Sequence, residues 1–185
     1  MKREVKTVFD IVLRYVILIL VGVSNSGIFY LLFSAITIYP VYFLLKFFFD
    51  TSLMYNIITI NNSAIEIIRA CVAGSAYYLL LILNLSTRGI NLRKRIFMLL
   101  FSFSSFLIIN ILRIFFLSIL FVSGISFFDV AHKLFWYVGS VVFVVAIWFF
   151  SVKIFKIKEI PIYSDIVFLL KSGKKVKKTK SSKKY

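Results

Sequence analysis

The run from Ile96 to Val122 constrains this chain more than any other stretch. It is apolar almost throughout and long enough to cross a hydrocarbon layer about 30 Å thick, yet it carries Arg113. A guanidinium stays charged at physiological pH and is costly in hydrocarbon, so it must meet polar partners there. Asn110 lies one helical turn earlier, which puts both side chains on one face. Another part of the chain has to supply what this face needs.

The rest of the sequence agrees with a membrane setting. Of 185 residues, 61% are hydrophobic and 16% charged, at a mean hydropathy of +0.98. A soluble domain is about half apolar and about a quarter charged. The expected fold is an all-α polytopic membrane protein with about four transmembrane helices. The first span is expected within about residues 15–37, where Ser24-Asn25-Ser26-Gly27 is small enough to pack against a helix. A break there into two spans is the alternative, and it would flip the N-terminus. The first apolar run is long and lacks a convincing small-residue cleavage site, so no removable signal peptide is expected. Val41 to Phe49, after Pro40, is short and reads as an interfacial helix. The other spans are Ala70–Leu85, Ile96–Val122 and Leu134–Val152.

Ile58 and Ile60 alternate with polar neighbours, as do Ile65 and Ile67, around Asn61-Asn62-Ser63. That pattern predicts a short extracytoplasmic β-hairpin. A single transmembrane domain, 1–158, precedes a basic cytoplasmic tail, 159–185. Pro161 to Leu170 is expected to form an interfacial helix ahead of a disordered Lys/Ser end.

Basic residues set the orientation. Of the 23 lysines and arginines, all but Lys46, Arg69, Arg113 and Lys133 fall in the N-terminal part, the loop Arg88 to Arg95, or the segment from Lys153 onward. Those three regions belong in the cytoplasm, with both termini. Net charge is +16, but its placement suits anionic lipids at the Lys-rich tail rather than a specific nucleic acid.

This topology brings three chemical groups to one depth. Arg113 lies about 25 Å above Ile96, at about 1.5 Å per residue. The only cysteine, Cys71, starts the second span, and the only histidine, His132, starts the fourth. All three reach the outer face. Each has a plainer reading alone. A lone cysteine is often a small buried hydrophobe, an arginine can snorkel, and a histidine at a helix start can be interfacial. Together they suit nucleophilic chemistry. A thiolate attacks a carbonyl, a guanidinium stabilises the oxyanion, and an imidazole moves protons. A single cysteine leaves no internal disulfide. No H-E-x-x-H, phosphate loop or other cofactor motif occurs, so no cofactor or metal is expected.

Ala70-Cys71 after a short hairpin, Asn110-x-x-Arg113 on the next helix, then His132 with Gly139 seven residues later resemble the exosortase/archaeosortase family of membrane-embedded cysteine transpeptidases. The similarity covers roughly Tyr39 to Val145. One departure is Ala73, two residues after the cysteine, where the family usually has glycine. The chain is also shorter than typical members. The resemblance implies a prokaryotic plasma-membrane enzyme with catalytic Cys71, Arg113 and His132, supported by Asn110. Its implied partners are exported proteins with a C-terminal signal of motif, membrane helix and basic cluster. It would cut at the motif and transfer the protein to a lipid or glycan acceptor. The rival reading is a non-enzymatic membrane scaffold or assembly factor whose basic tail binds lipid or RNA.

Overall fold

Backbone groups in hydrocarbon have to be satisfied within their own segment, so apolar runs of this length become helices. The computed structural model describes residues 2–23, 27–61, 63–157 and 159–170. Two helices, α1 (Lys2–Val23) and α2 (Gly27–Phe48), lead into strands β1 (Thr51–Met54), β2 (Ile57–Ile60) and β3 (Ser63–Glu66). Then come α3 (Arg69–Val72), α4 (Gly74–Leu85) and the long α5 (Leu92–Val122). The next helical stretch consists of α6 (Phe128–Leu134), a π-helical turn (Phe135–Gly139) and α7 (Ser140–Ile154). Residues 163–170 are helical again. The Lys-rich end, 171–185, lies outside the described residues.

Among the described residues, three helices are long and apolar enough to cross a membrane: Gly27–Phe48, Leu92–Val122 and Phe128–Ile154. Arg69–Leu85 is apolar but shorter. The protein is thus a helical membrane protein with a small sheet.

Residues 24–26, between α1 and α2, lie outside the described residues. On either side of them α1 and α2 run in the same direction, so the alternative of two opposed spans is not what the helices show. Arg14 on α1 bonds to Leu85 while Leu18 meets Tyr78, so α1 runs antiparallel to α4. Phe29 on α2 packs on Tyr77 while Val41 and Leu45 cluster with Val72, so α2 does too. One expectation changes: Val41 to Phe49 is not a separate interfacial helix. Pro40 lies inside α2, and Val41 and Leu45 are fully buried beyond it. Burial of those two side chains against the sheet outweighs the backbone bond that proline removes.

The hairpin is present. β2 and β3 pair antiparallel with Ile60 opposite Ser63, around the expected turn. A strand that alternation did not reveal, β1, completes an antiparallel sheet in the order β1-β2-β3. Ile58, Ile60 and Ile67 point into a cluster with Ile38, Val41, Leu45, Val72 and Ile114. Farther along the bundle, Tyr77 is buried among Phe29, Phe33, Phe103 and Phe106, in ring pairs 3.9 to 6.1 Å apart. The first cluster fixes the sheet on the helices, and the second fixes α2, α4 and α5 to one another. Ser102 and Ser151 share a buried hydrogen bond of 3.0 Å, aligning α5 with α7.

The opposite end of the bundle is closed by charge. The last carbonyls of α4 have no helical donors. Arg95 donates to the carbonyls of Asn84, Leu85 and Thr87, and Arg14 to those of Leu85 and Thr87. Two cations at a helix C-terminus also complement its dipole. Arg14 also pairs with Asp165 at 3.1 Å, and Asp165 is 1% exposed. Arg88 stacks on Phe168 at 3.5 Å, and Ile162 N–H donates to Ser86 O. Helix 163–170 therefore rests on α1 and the α4–α5 loop.

Losing one partner of a buried pair leaves an uncompensated charge. Arg14→Met is expected to destabilise the protein by about 3 kcal/mol. Arg14→Met/Asp165→Leu should recover much of that loss. Thermal unfolding in detergent reads both, and a double variant no more stable than Arg14→Met would contradict the pairing.

Candidate active site

The site begins with a broken helix. α3 ends after one turn because Ala73 adopts φ 56°, ψ 46°, the left-handed conformation. Ala73 N–H closes α3 by donating to Ala70 O, and α4 restarts at Gly74. The break releases the carbonyl of Cys71 from the ordinary helical ladder. Asn110 Nδ2 donates to it at 2.9 Å and an Arg113 terminal nitrogen at 3.1 Å. Part of the polar demand of the α5 face is met here, by a main-chain oxygen beside the thiol.

The other terminal nitrogen of Arg113 donates to Ser140 Oγ at 3.1 Å. Ser140 Oγ in turn reaches Phe135 O at 3.4 Å. That carbonyl lies five residues back, at the π-helical turn, where the regular i to i−4 ladder is interrupted. One planar fork thus joins the Cys71 backbone, α5 and the start of α7. A lysine, with its single nitrogen, does not reproduce that span. Arg113 Nε and Asn110 Oδ1 are buried without partners among the described residues. Each such group costs about 1–3 kcal/mol, so this corner is not arranged for stability alone.

Cys71, Arg113 and His132 line one cavity of about 600 Å³. Cys71 comes from α3, Arg113 from α5 and His132 from α6. Both Cys71 and His132 are half-buried. His132 stacks on Phe128 at 5.5 Å with 12° between the planes, and Trp136 meets it edge-on at 5.7 Å. These rings fix the imidazole plane. His132 belongs to a helix that starts at Phe128, ahead of the expected beginning of the fourth span at Leu134. Ile114, Leu117, Phe121 and Val141 give the cavity an apolar wall, and Ala64 to Glu66 of β3 form another side.

All four residues singled out from the sequence fall here. Three line the cavity, and the fourth, Asn110, is 1% exposed and holds the Cys71 carbonyl from behind. Ser140 escaped the sequence reading. The signal was available in principle, since a membrane arginine needs several acceptors and Ser140 is a hydroxyl near the start of the last apolar run. Ser75 and Ser118 also line the cavity without having been singled out. Among the described residues, no three His, Cys, Asp or Glu side chains converge as a metal site.

No family model, no curated protein and no solved structure matches this chain.

The left-handed conformation at Ala73 explains what a glycine would contribute there. An L-residue in this region is disfavoured by about 1 kcal/mol, whereas glycine enters it freely. Ala73→Gly is expected to stabilise the protein by about 0.5–1 kcal/mol, a rise of a few degrees in melting temperature. A lower melting temperature would contradict the left-handed break beside Cys71.

Proposed function

We propose that this protein is a membrane cysteine peptidase or transpeptidase that cuts C-terminal sorting signals from exported proteins. One observation carries the reading. The only cysteine and the only histidine of the chain share a cavity with the arginine of its most apolar run. Their elements are distant in sequence, and ordinary core packing gives no reason to gather these three.

The chemistry follows from the groups. Cys71 gives its thiol proton to His132, and Sγ attacks the scissile carbonyl, forming a tetrahedral oxyanion and then a thioester as the amine leaves. Arg113 holds the backbone of the nucleophile in place and puts a positive charge beside the oxyanion, where low dielectric strengthens it. His132 protonates the leaving amine and afterwards takes the proton of the acceptor hydroxyl or amine. Collapse of the second tetrahedral species returns Cys71 as a free thiol, with the protein joined to a lipid or glycan acceptor.

The membrane arrangement we infer has four crossings, made by α1 with α2, α3 with α4, α5, and α6 with α7. Arg95 meets the last turn of α4, whereas Asn110 meets Cys71 at its other end. The basic loop and the cavity therefore lie at opposite ends of the same two helices. With positive loops taken as cytoplasmic, Cys71 lies at the outer face and both termini inside; the plasma membrane of a prokaryote is what the family resemblance adds to this reading.

Terminal proteomics on membranes from cells with and without a functional copy tests the reading. Cells carrying Cys71→Ala should accumulate exported proteins that retain a C-terminal apolar helix and basic cluster. Arg113→Lys should insert normally yet lose at least 90% of processing, because an ammonium cannot span Cys71 O and Ser140. Unchanged C-termini in the Cys71→Ala cells would overturn the enzyme reading in favour of a scaffold.

A further inference from the structure

The cavity has one wall made of unpaired backbone, at the edge of the sheet. In the order β1-β2-β3, strand β3 is paired on one side only among the described residues. Its pairing parity is fixed by two observations. Ile60 faces Ser63 across the turn, and Ile67 N–H donates to Asn56 O at 2.8 Å. Odd-numbered residues of this segment thus turn their backbone groups toward β2. Hydrogen-bonding direction alternates along an antiparallel strand, so the N–H and C=O of Ala64 and Glu66 face the other way. Ala64 and Glu66 are exposed, and both line the cavity that contains Cys71. Three residues after Glu66 the chain enters α3 and reaches the thiol.

We propose, building on the peptidase reading, that β3 binds the substrate by strand addition. An extended peptide pairs with the outer edge of β3, running parallel to it. Its residues preceding the scissile bond lie along Ala64 and Glu66, and its carbonyl carbon arrives at Cys71. The edge presents donors and acceptors two residues apart, the repeat an extended peptide matches. Phe128 and Trp136 line the same cavity and offer apolar surface for the peptide's side chains. Apolar side chains of Ile114, Leu117 and Phe121 also line the cavity, with Ser118 among them. Edge strands are ordinarily protected from such pairing. This one is short and opens onto the nucleophile. Recognition would come mostly from main chain, with side-chain selection at alternate positions.

Peptidyl acyloxymethyl ketones test this, because Cys71 Sγ displaces their carboxylate to form a thioether, its proton passing to solvent. Two reagents are compared on the full-length protein in detergent: a pooled tetrapeptidyl ketone and a single-residue ketone, with Cys71 labelling read by intact mass. The tetrapeptide pool should react at least 10-fold faster. Backbone N-methylation, scanned along the peptide, should abolish that gain at alternate amides only. In Ala64→Pro, which removes an outward N–H without touching the β2 ladder, the ratio of the two rates should fall towards one. Taking the ratio within each variant cancels changes in thiol reactivity. Equal rates in the wild type, an N-methyl effect without alternation, or an unchanged ratio in Ala64→Pro would each overturn strand addition while leaving the peptidase reading standing. If neither ketone labels Cys71, both fall.

Discussion

Everything at the sheet end of this molecule depends on how one guanidinium is satisfied. Arg113 stands in an apolar helix, where an unmet charge would be costly. Its answer is the Cys71 carbonyl on one side and Ser140 on the other. The carbonyl is available because the helix carrying Cys71 breaks at Ala73. Ser140 is in reach because the ladder loosens through a π-helical turn. Two departures from regular helix thus converge on one side chain, and the cavity lies between them. Such interruptions are tolerated at membrane depth where protein or a cavity replaces the lost hydrogen bonds.

Comparable logic closes the other end. Arg95 and Arg14 cap the carbonyls of α4, and Arg14 binds Asp165 from far along the chain. Between the two ends lies aromatic and aliphatic packing with Tyr77 at its centre, joined by the Ser102–Ser151 and Tyr78–Leu18 hydrogen bonds. Polar clamps therefore fix the axial position of α4 against α5, while apolar packing fixes lateral spacing. A helix pinned at both ends holds Cys71 at a set depth. Chemistry on a peptide bond needs that kind of positioning, since small displacements of a nucleophile are costly in rate.

Much of this was readable from the sequence, for local reasons. Alternation around Asn61-Asn62-Ser63 identified β2 and β3, because period two is a strong signature. Arg113 and Asn110 stood out because polar groups in an apolar run are costly. Counting residues from a basic loop placed Cys71, Arg113 and His132 at one level, and they share a cavity. What stayed hidden depends on distant partners. β1 carries no clear alternation and exists through its pairing with β2. The passage of α2 through Pro40 rests on Val41 and Leu45 finding the sheet. The Arg14–Asp165 pair joins residues with no local link at all. Ala73 drew notice as a departure from glycine, but only its φ reveals why that position matters.

The central claim is that Cys71 carries an acyl group during turnover. Its most direct test is the intact mass of protein rapidly quenched in acid from membranes containing its native substrates. The account expects a covalent adduct on Cys71 that hydroxylamine releases, as it does a thioester. Protein carrying Cys71→Ala should have none. A wild-type mass that hydroxylamine leaves unchanged under conditions of active processing, or an equal adduct in the alanine variant, would contradict it.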